Sequence, residues 1–290
     1  MKIRNKIDLE AQKKYEDEEV ERFFLTDKTF IPQGCEFSEL NREPEGIEES
    51  FKDRKYTRVF NERIDELVPH TDTSITYNIN EQGYRAPEFT AYNDSALQVL
   101  CFGCSYTFGV GVKEEETWPS ILKNSGNLPS EAQVWNLGVP GSSNDAIVRR
   151  IYHAVRMMRP NVIFVQWTIP HRREYVEYNG EIRKILTNHP KFWIDNSPAY
   201  RSFMELSNPA WDQYYWEKNV AFMEAYTKMM GCTFVWGHIA DFPFNKPARD
   251  TIHPGAEDHE NFAKLMYQTL LDISVFWDSM NVPGVEWLKK

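Results

Sequence analysis

A serine, a histidine and an aspartate occupy positions in this chain that could support nucleophilic catalysis. Ser105 follows Gly103-Cys104 directly after an apolar run, and far downstream Asp250 precedes His253 by three residues. A serine just beyond a buried strand can expose its hydroxyl, and an aspartate can orient the imidazole that accepts the hydroxyl proton. These residues predict a Ser-His-Asp triad that attacks an acyl group.

Short apolar runs predict the strands that would position these residues. The runs are residues 97–102, 133–137, 162–167 and 232–236, and each ends at a turn signal. Helical patterns separate them, which is typical of βαβ units and a parallel sheet. The sequence therefore predicts an α/β domain from about residue 95 onward.

Capping residues predict where the intervening helices begin and end. One helix begins near Ser142-Ser143, whose hydroxyls can cap it, and ends at Arg159-Pro160. A longer helix covers residues 209–230 and stops at Gly231, and the last covers roughly residues 256–276. Ligands of open parallel sheets bind beyond the carboxyl ends of the strands. Ser105, the glycines at 138 and 141, residues 168–173 and the 250–253 segment are all expected there.

Over about residues 75–275 the chain resembles the SGNH or GDSL-type hydrolases. Block one of that family, Gly-Asp-Ser, corresponds to residues 103–105, and block two, Asn-x-Gly-x-x-Gly, matches residues 136–141. Block five, Asp-x-x-His-Pro, matches residues 250–254, and residues 80–88 resemble a lead-in found in many members. The resemblance implies a flavodoxin-like three-layer α/β/α sandwich with a mostly parallel sheet, and hydrolysis of esters without a metal or cofactor.

The family's roles carry over by position. Ser105 would be the nucleophile, His253 the base that later protonates the leaving alcohol, and Asp250 the residue that orients the imidazole. The backbone N–H groups of Ser105 and Gly141 would donate to the oxyanion. For each residue a structural role, in a turn, a helix cap or packing, is the alternative.

The chain departs from the family pattern at two points. Cys104 replaces the aspartate of block one, and the Gly-x-Asn-Asp of block three is absent after the third predicted strand. That place holds residues 166–173, where Thr168 is a candidate oxyanion donor and Arg172 a candidate substrate-binding residue. Asn144 is a second candidate for substrate binding. For Thr168 and Arg172, a strand end and a surface ion pair are the structural alternative.

The chain divides by composition into an extension and a main domain. Residues 1–70 are densely charged and are expected to form a solvated helix and loops, with an oligomer or partner contact as the functional alternative. Residues 71–290 form the predicted hydrolase-like domain. It contains an aromatic-rich insertion at about 171–208, which could line the substrate cleft or simply cover the core.

Composition excludes several classes of protein. A formal net charge of −10 argues against general nucleic-acid binding, and no apolar stretch is long enough to span a bilayer. The basic N-terminus lacks the apolar core of a secretory signal, so a cytoplasmic location is expected.

Two other chemistries compete for the same residues. Cys101 and Cys104 form a Cys-x-x-Cys, but Cys101 lies within the strand pattern and no second cysteine pair exists, which argues against a redox motif and a zinc site. The Gly-x-Ser-x-Gly elbow of α/β-hydrolases is not matched, because Thr107 stands at its fifth position.

The sequence thus predicts a serine esterase that hydrolyses carboxylic esters, with O-acetyl groups on carbohydrate as the first candidate substrate. The alternative is a catalytically weak or inactive relative that binds carbohydrate or has a structural role in a larger assembly. The absence of block three is the reason for that alternative.

Overall fold

The computed structural model describes residues 47–50, 55–59, 74–80, 82–176, 182–186, 202–203, 205, 207–249 and 253–279. Its first strands are β1 (Ile47–Ser50), β2 (Lys55–Val59) and β3 (Ser74–Asn78), which form an antiparallel sheet. The described part of residues 1–70 is therefore strand, where helix and loops were expected. The boundary predicted at residue 70 falls between two strands of this sheet.

The remaining strands belong to a central sheet and a hairpin. In chain order they are β4 (Gln98–Phe102), β5 (Gln133–Asn136), β6 (Val162–Trp167), β7 (Arg172–Val176), β8 (Ile182–Leu186) and β9 (Thr233–His238). The central sheet is parallel, with the order β5-β4-β6-β9. β6 has its predicted bounds, and the other three central strands differ from prediction by one or two residues at an end.

The helices follow the strands in the predicted alternation. They are α1 (Ser105–Phe108), α2 (Trp118–Asn124), α3 (Asn144–Met158), α4 (Pro209–Met229) and α5 (Ala256–Ser279). The Ser143 hydroxyl caps α3 by accepting from the Ala146 N–H at 3.0 Å, as predicted. Asn208 caps α4 by accepting from the Trp211 N–H at 3.0 Å.

Both faces of the central sheet are covered by helices. Successive strand residues face opposite sides, and β4 shows this clearly. Leu100 and Phe102 belong to the buried cluster that includes α3 and α4, whereas Val99 and Cys101 belong to the cluster that includes α2 and α5. The predicted three-layer α/β/α sandwich with a parallel sheet is confirmed.

The strand order places a crevice between β4 and β6. After β4 the chain moves to β5 on one side, and after β6 it moves to β9 on the other, which is the switch point where ligands bind in flavodoxin-like sheets. Phe102 pairs with Val165 at this point. Ser105 and Thr168, which follow these paired residues, therefore lie at the same edge of the sheet.

The predicted aromatic insertion begins with a hairpin. β7 and β8 pair in antiparallel register from Arg172 opposite Leu186 to Val176 opposite Ile182. Tyr175 and Phe203 pack together with 5.8 Å between ring centroids, whereas the aromatic residues at 178, 192, 193 and 200 lie outside the described residues. Within the described part of the chain, no helix combines the length and the apolar character that a membrane span requires.

Candidate active site

Ser105 is the first residue of the one-turn helix α1, directly beyond the central strand β4. Cys104 precedes the helix as its N-cap, and Gly109 ends it in the left-handed conformation with a φ of 82°. The Ser105 side chain is partly exposed, while Cys104 is fully buried. The turn thus places Ser105 at the carboxyl edge of the sheet, where its hydroxyl donates to the Cys104 Sγ at 4.0 Å.

The buried side chain of Gln166 braces this turn through hydrogen bonds. The buried Gln166 amide oxygen accepts hydrogen bonds from the Cys104 thiol at 3.4 Å and from the Thr107 hydroxyl at 3.3 Å. The Gln166 NH₂ group donates to the Trp167 carbonyl at 2.8 Å, which fixes the direction of the amide. The aspartate of block one is thus replaced by a thiol that pairs with a side-chain amide. Sequence reasoning did not identify Gln166 as part of the site.

The glycines of blocks one and two allow the turn to pack closely. A Cβ atom on Gly103 would lie 2.0 Å from the Thr107 hydroxyl oxygen, and one on Gly138 would lie 2.5 Å from the Phe108 backbone nitrogen. Gly141 has a φ of 73°, a conformation that L side chains rarely adopt. Gly103 and Gly138 are therefore required by close packing, and Gly141 is favoured by its positive φ.

Asn136 ties block two to the helix that carries Ser105. Its NH₂ group donates to the Thr107 carbonyl at 2.9 Å, and its amide oxygen accepts from the Gly138 N–H at 3.1 Å. The Val139 N–H donates to the Gly103 carbonyl at 3.1 Å. The block-two loop and the serine turn therefore form one hydrogen-bonded unit, which brings the Gly141 segment to the edge where Ser105 lies.

His253 meets this unit through an aromatic contact. Its imidazole packs edge-on against the ring of Tyr106, with 5.6 Å between centroids, and Tyr106 packs in the same way on Phe242 at 5.3 Å. The His253 carbonyl accepts from the Ala248 N–H at 2.7 Å, which closes the loop before α5. The structure thus brings the predicted base beside the residue that follows Ser105. Asp250 lies outside the described residues, and its role stays a prediction.

The segment in place of block three is organised around Thr168. The Asn144 side chain binds the Thr168 backbone twice. The Thr168 N–H donates to the Asn144 amide oxygen at 2.9 Å, and the Asn144 NH₂ group donates to the Thr168 carbonyl at 3.0 Å. The Arg172 Nη1 donates to the Thr168 hydroxyl at 3.1 Å and to the Ser142 carbonyl at 3.4 Å. The buried Asn144 therefore joins the start of α3 to the loop after β6, and a contact with substrate stays a prediction.

Arg172 is held beside block two by the hairpin on which it lies. The neighbouring Arg173 is buried, forms ion pairs with Asp145 at 3.3 Å and Asp212 at 3.5 Å, and lies 3.7 Å from the ring centroid of Tyr215. Adjacent strand residues face opposite sides, so Arg172 faces away from this ion cluster. Among the described residues no carboxylate forms an ion pair with Arg172, and a contact with substrate stays a prediction.

Burial makes the Cys101 thiol unreactive. Cys101 and Cys104 are free and fully buried, and burial raises the pKa of the Cys101 thiol well above its usual value. A thiol kept neutral in this way is a poor nucleophile and a poor metal ligand.

No family model matches this chain, and no curated protein matches it. Several solved structures are similar. The psychrotrophic esterase EstA from Pseudoalteromonas sp. is 10% identical with a TM-score of 0.37, and the match covers 60% of this chain and 97% of that one. The protein TesA is 13% identical with a TM-score of 0.39, and the match covers 60% and 97%. A GDSL-like lipase from Bacteroides thetaiotaomicron is 16% identical with a TM-score of 0.28, and the match covers 61% and 88%.

The likeness to these structures concerns the fold. The chemistry of the chain depends on the residues that it places at the carboxyl edge of its sheet.

Proposed function

We propose that this protein is a serine esterase of the SGNH/GDSL type, with Ser105 as nucleophile, His253 as base and Asp250 as the residue that orients His253. The observation that carries the proposal is the packing of His253 against Tyr106, the residue next to Ser105. This contact joins two segments that are far apart in the chain and that bear the nucleophile and the base.

The chemistry follows from these roles. The Ser105 oxygen attacks the ester carbonyl carbon while the imidazole of His253 accepts the hydroxyl proton. When the tetrahedral intermediate collapses, the imidazolium protonates the leaving alcohol and an acyl-serine remains. The same imidazole then takes a proton from water, which attacks the acyl-serine. When this second tetrahedral intermediate collapses, the imidazolium returns the proton to the Ser105 oxygen and the carboxylic acid is released.

The oxyanion would be bound mainly by backbone donors. The N–H groups of Ser105 and Gly141 are the proposed pair, supported by the hydrogen bonds that unite the serine turn with the block-two loop. Thr168 is the proposed third donor in place of the block-three asparagine. Its buried hydroxyl accepts from the Arg172 Nη1, which leaves its own proton to donate. Losing one such donor costs on the order of 10²–10³ in rate, so the altered block three is compatible with activity.

The proposed substrates are carboxylic esters, with O-acetyl groups on carbohydrate as the first candidate. The hairpin and the ring pair of Tyr175 and Phe203 supply aromatic surface in the inserted segment, and aromatic faces suit sugar rings. Arg172 would bind a polar or anionic group of the substrate beside the block-two loop.

The decisive experiment compares wild type with Ser105→Ala, His253→Ala and Asp250→Asn in p-nitrophenyl acetate hydrolysis and in fluorophosphonate labelling. We expect Ser105→Ala to abolish labelling and to lower turnover by roughly 10⁴-fold or more, with a loss of about 10⁴ for Asp250→Asn. Ser130 is exposed and its hydroxyl donates to the neighbouring Glu131, so Ser130→Ala is the matched control and should behave as wild type.

A second measurement addresses the substrate. Wild type should release acetate from an acetylated polysaccharide, and Ser105→Ala should not. If labelling and turnover do not depend on Ser105, the esterase proposal is wrong. The alternative of a non-catalytic module that binds carbohydrate or stabilises an assembly would then take its place.

A further inference from the structure

Arg85 is a buried cation that lies behind the helix carrying Ser105. Its side chain is 1% exposed, and its guanidinium carbon lies 4.7 Å from the ring centroid of Tyr77 and 5.6 Å from that of Phe108. Among the described residues no carboxylate forms an ion pair with it. The buried guanidinium group donates its hydrogen bonds to backbone carbonyl groups instead.

Three carbonyl groups accept the Arg85 hydrogen bonds. The Nη1 atom donates to the carbonyls of Phe108 at 3.1 Å and Gly109 at 2.8 Å, and Nη2 donates to that of Val112 at 3.1 Å. A helix leaves its last carbonyls without partners inside the helix, and α1 is a single turn. Arg85 therefore completes the carboxyl end of α1 and joins it to the segment that follows.

Gly109, which accepts from Arg85, also binds the Ser105 backbone directly. The Ser105 carbonyl accepts hydrogen bonds from the N–H groups of Gly109 at 2.9 Å and Val110 at 3.1 Å. Gly109 thus donates to Ser105 and accepts from Arg85. A displacement of the guanidinium would move Gly109 and, through it, the backbone that orients the serine hydroxyl.

The segment before Arg85 is built to present it. The Asn80 side-chain oxygen accepts from the Tyr84 N–H at 2.8 Å and from the Gln82 N–H at 3.1 Å, and its NH₂ group donates to the Pro87 carbonyl at 3.0 Å. Gly83 has a φ of 88°, which the turn requires and which favours glycine. The asparagine and glycine of the lead-in at residues 80–88 therefore make a rigid turn, and that turn delivers Arg85 to α1.

We propose that Arg85 is a positioning residue for the nucleophile: it holds the carboxyl end of α1 so that the Ser105 hydroxyl points to the substrate carbonyl. This inference rests on the proposed esterase function. It assigns the lead-in segment a part in catalysis without contact between Arg85 and the substrate. Errors of about 1 Å in the placement of a reacting group can lower a rate by about 10², so such a residue can matter at a distance.

The test measures how fast a fluorophosphonate probe modifies Ser105 in the folded full-length protein. Arg85→Lys and Arg85→Gln are compared with wild type well below their unfolding temperatures, and the dependence on probe concentration separates probe affinity from the maximal modification rate. We expect the maximal rate to fall about 10- to 100-fold while probe affinity changes less than about threefold, because the binding surface is intact and only the serine is misplaced. Lysine should retain more activity than glutamine, since it keeps a charged donor for the same carbonyls.

Met223→Ala provides a control for lost stability. Met223 is fully buried in the cluster between α4 and the sheet, and this cluster includes no residue of α1 among the described residues. This variant should unfold more easily but modify Ser105 at the wild-type maximal rate. If both Arg85 variants fold and also react at that rate, the positioning role is wrong. If wild-type Ser105 is not modified at all, the proposed function fails before the Arg85 variants are compared.

Discussion

The imidazole of His253 packs edge-on against the phenol ring of Tyr106, with 5.6 Å between the ring centroids. Tyr106 also packs edge-on against Phe242, so the loop before α5 contacts the serine turn through two edge-to-face aromatic pairs. Edge-to-face pairs of this kind add about 0.5–1.5 kcal/mol beyond the area that they bury. These two ring contacts therefore restrict the position of the His253 imidazole relative to Ser105.

Replacing Tyr106 with leucine should lower the kcat of ester hydrolysis by about 10-fold or more, because the imidazole loses the ring that orients it. KM should change little, since Tyr106 is proposed to act through His253. Steady-state kinetics with p-nitrophenyl acetate measure both constants. Tyr106→Phe keeps the ring and should retain most of the activity. Equal losses in the two variants would show that the phenol hydroxyl, and not the ring contact, is what matters.

Restoring the aspartate of block one should destabilise this protein. Cys104 is fully buried and its thiol donates to the Gln166 amide oxygen, so the carboxylate of Cys104→Asp would face another acceptor. An uncompensated buried charge costs about 3–5 kcal/mol in the free energy of unfolding. Urea unfolding measures this loss. Cys104→Ser keeps a donor and should be far less destabilised; similar losses for serine and aspartate would refute the pairing with Gln166.

Adding one methyl group at Gly138 should disrupt the junction between block two and α1. The new Cβ would lie 2.5 Å from the Phe108 nitrogen and 2.8 Å from the Thr107 carbonyl carbon, both backbone atoms that cannot move independently. Gly138→Ala should lower the free energy of unfolding by roughly 1–3 kcal/mol and reduce turnover as well. Gly237→Ala is the control, because its nearest contacts are side-chain atoms at 3.4 Å. Wild-type stability and turnover in Gly138→Ala would contradict the packing described above.

His259 should make stability depend on pH. It is fully buried and accepts a hydrogen bond from the Trp118 N–H at 3.2 Å; burial, with smaller contributions from Arg85 and His253, lowers its pKa from 6.5 to about 3. Between these values the unfolded chain binds a proton that the folded protein does not. The His259 contribution to the free energy of unfolding is therefore fully present above about pH 6.5, and it falls by about 1.4 kcal/mol per pH unit as the pH drops toward 3.

The comparison with His259→Gln isolates this contribution, because the other titrating groups are common to both proteins. Urea unfolding at pH 7, 6, 5 and 4 should show a shallower loss of stability with acid in the variant. Glutamine can still accept from the Trp118 N–H through its amide oxygen. Parallel pH profiles for the two proteins would mean that His259 is not kept neutral by the fold.

Local patterns were sufficient to predict most of the central sheet and its long helices. The run from Val162 to Trp167 is apolar except for Gln166, because both faces of β6 are covered, and its bounds were predicted correctly. The start of α3 was predicted from the Ser143 hydroxyl, since a cap acts on neighbours within one turn. The strands at 47–50 and 55–59 were not predicted, because charged residues on a small antiparallel sheet leave only a weak apolar signal.

The proposed site could be predicted only in part. The positions of Ser105 and the block-two glycines follow from the parallel sheet, because residues after parallel strands gather at one edge. His253 was identified from its spacing after Asp250 and from the resemblance of residues 250–254 to a family motif. The roles of Thr168, Arg172 and Asn144 could not be derived from spacing, since each depends on which side chain meets it across the fold.

The sequence alone determined the alternation of strands and helices and the residue types available for ester hydrolysis, because hydrophobic period, caps and turns act over a few neighbouring residues. The tertiary structure alone decided that Gln166 braces Cys104, that Arg85 completes the helix of Ser105, and that His253 lies against Tyr106. Each of these contacts joins segments far apart in the chain. Their partners are selected by packing and by the need to pair buried polar groups, which no local pattern encodes.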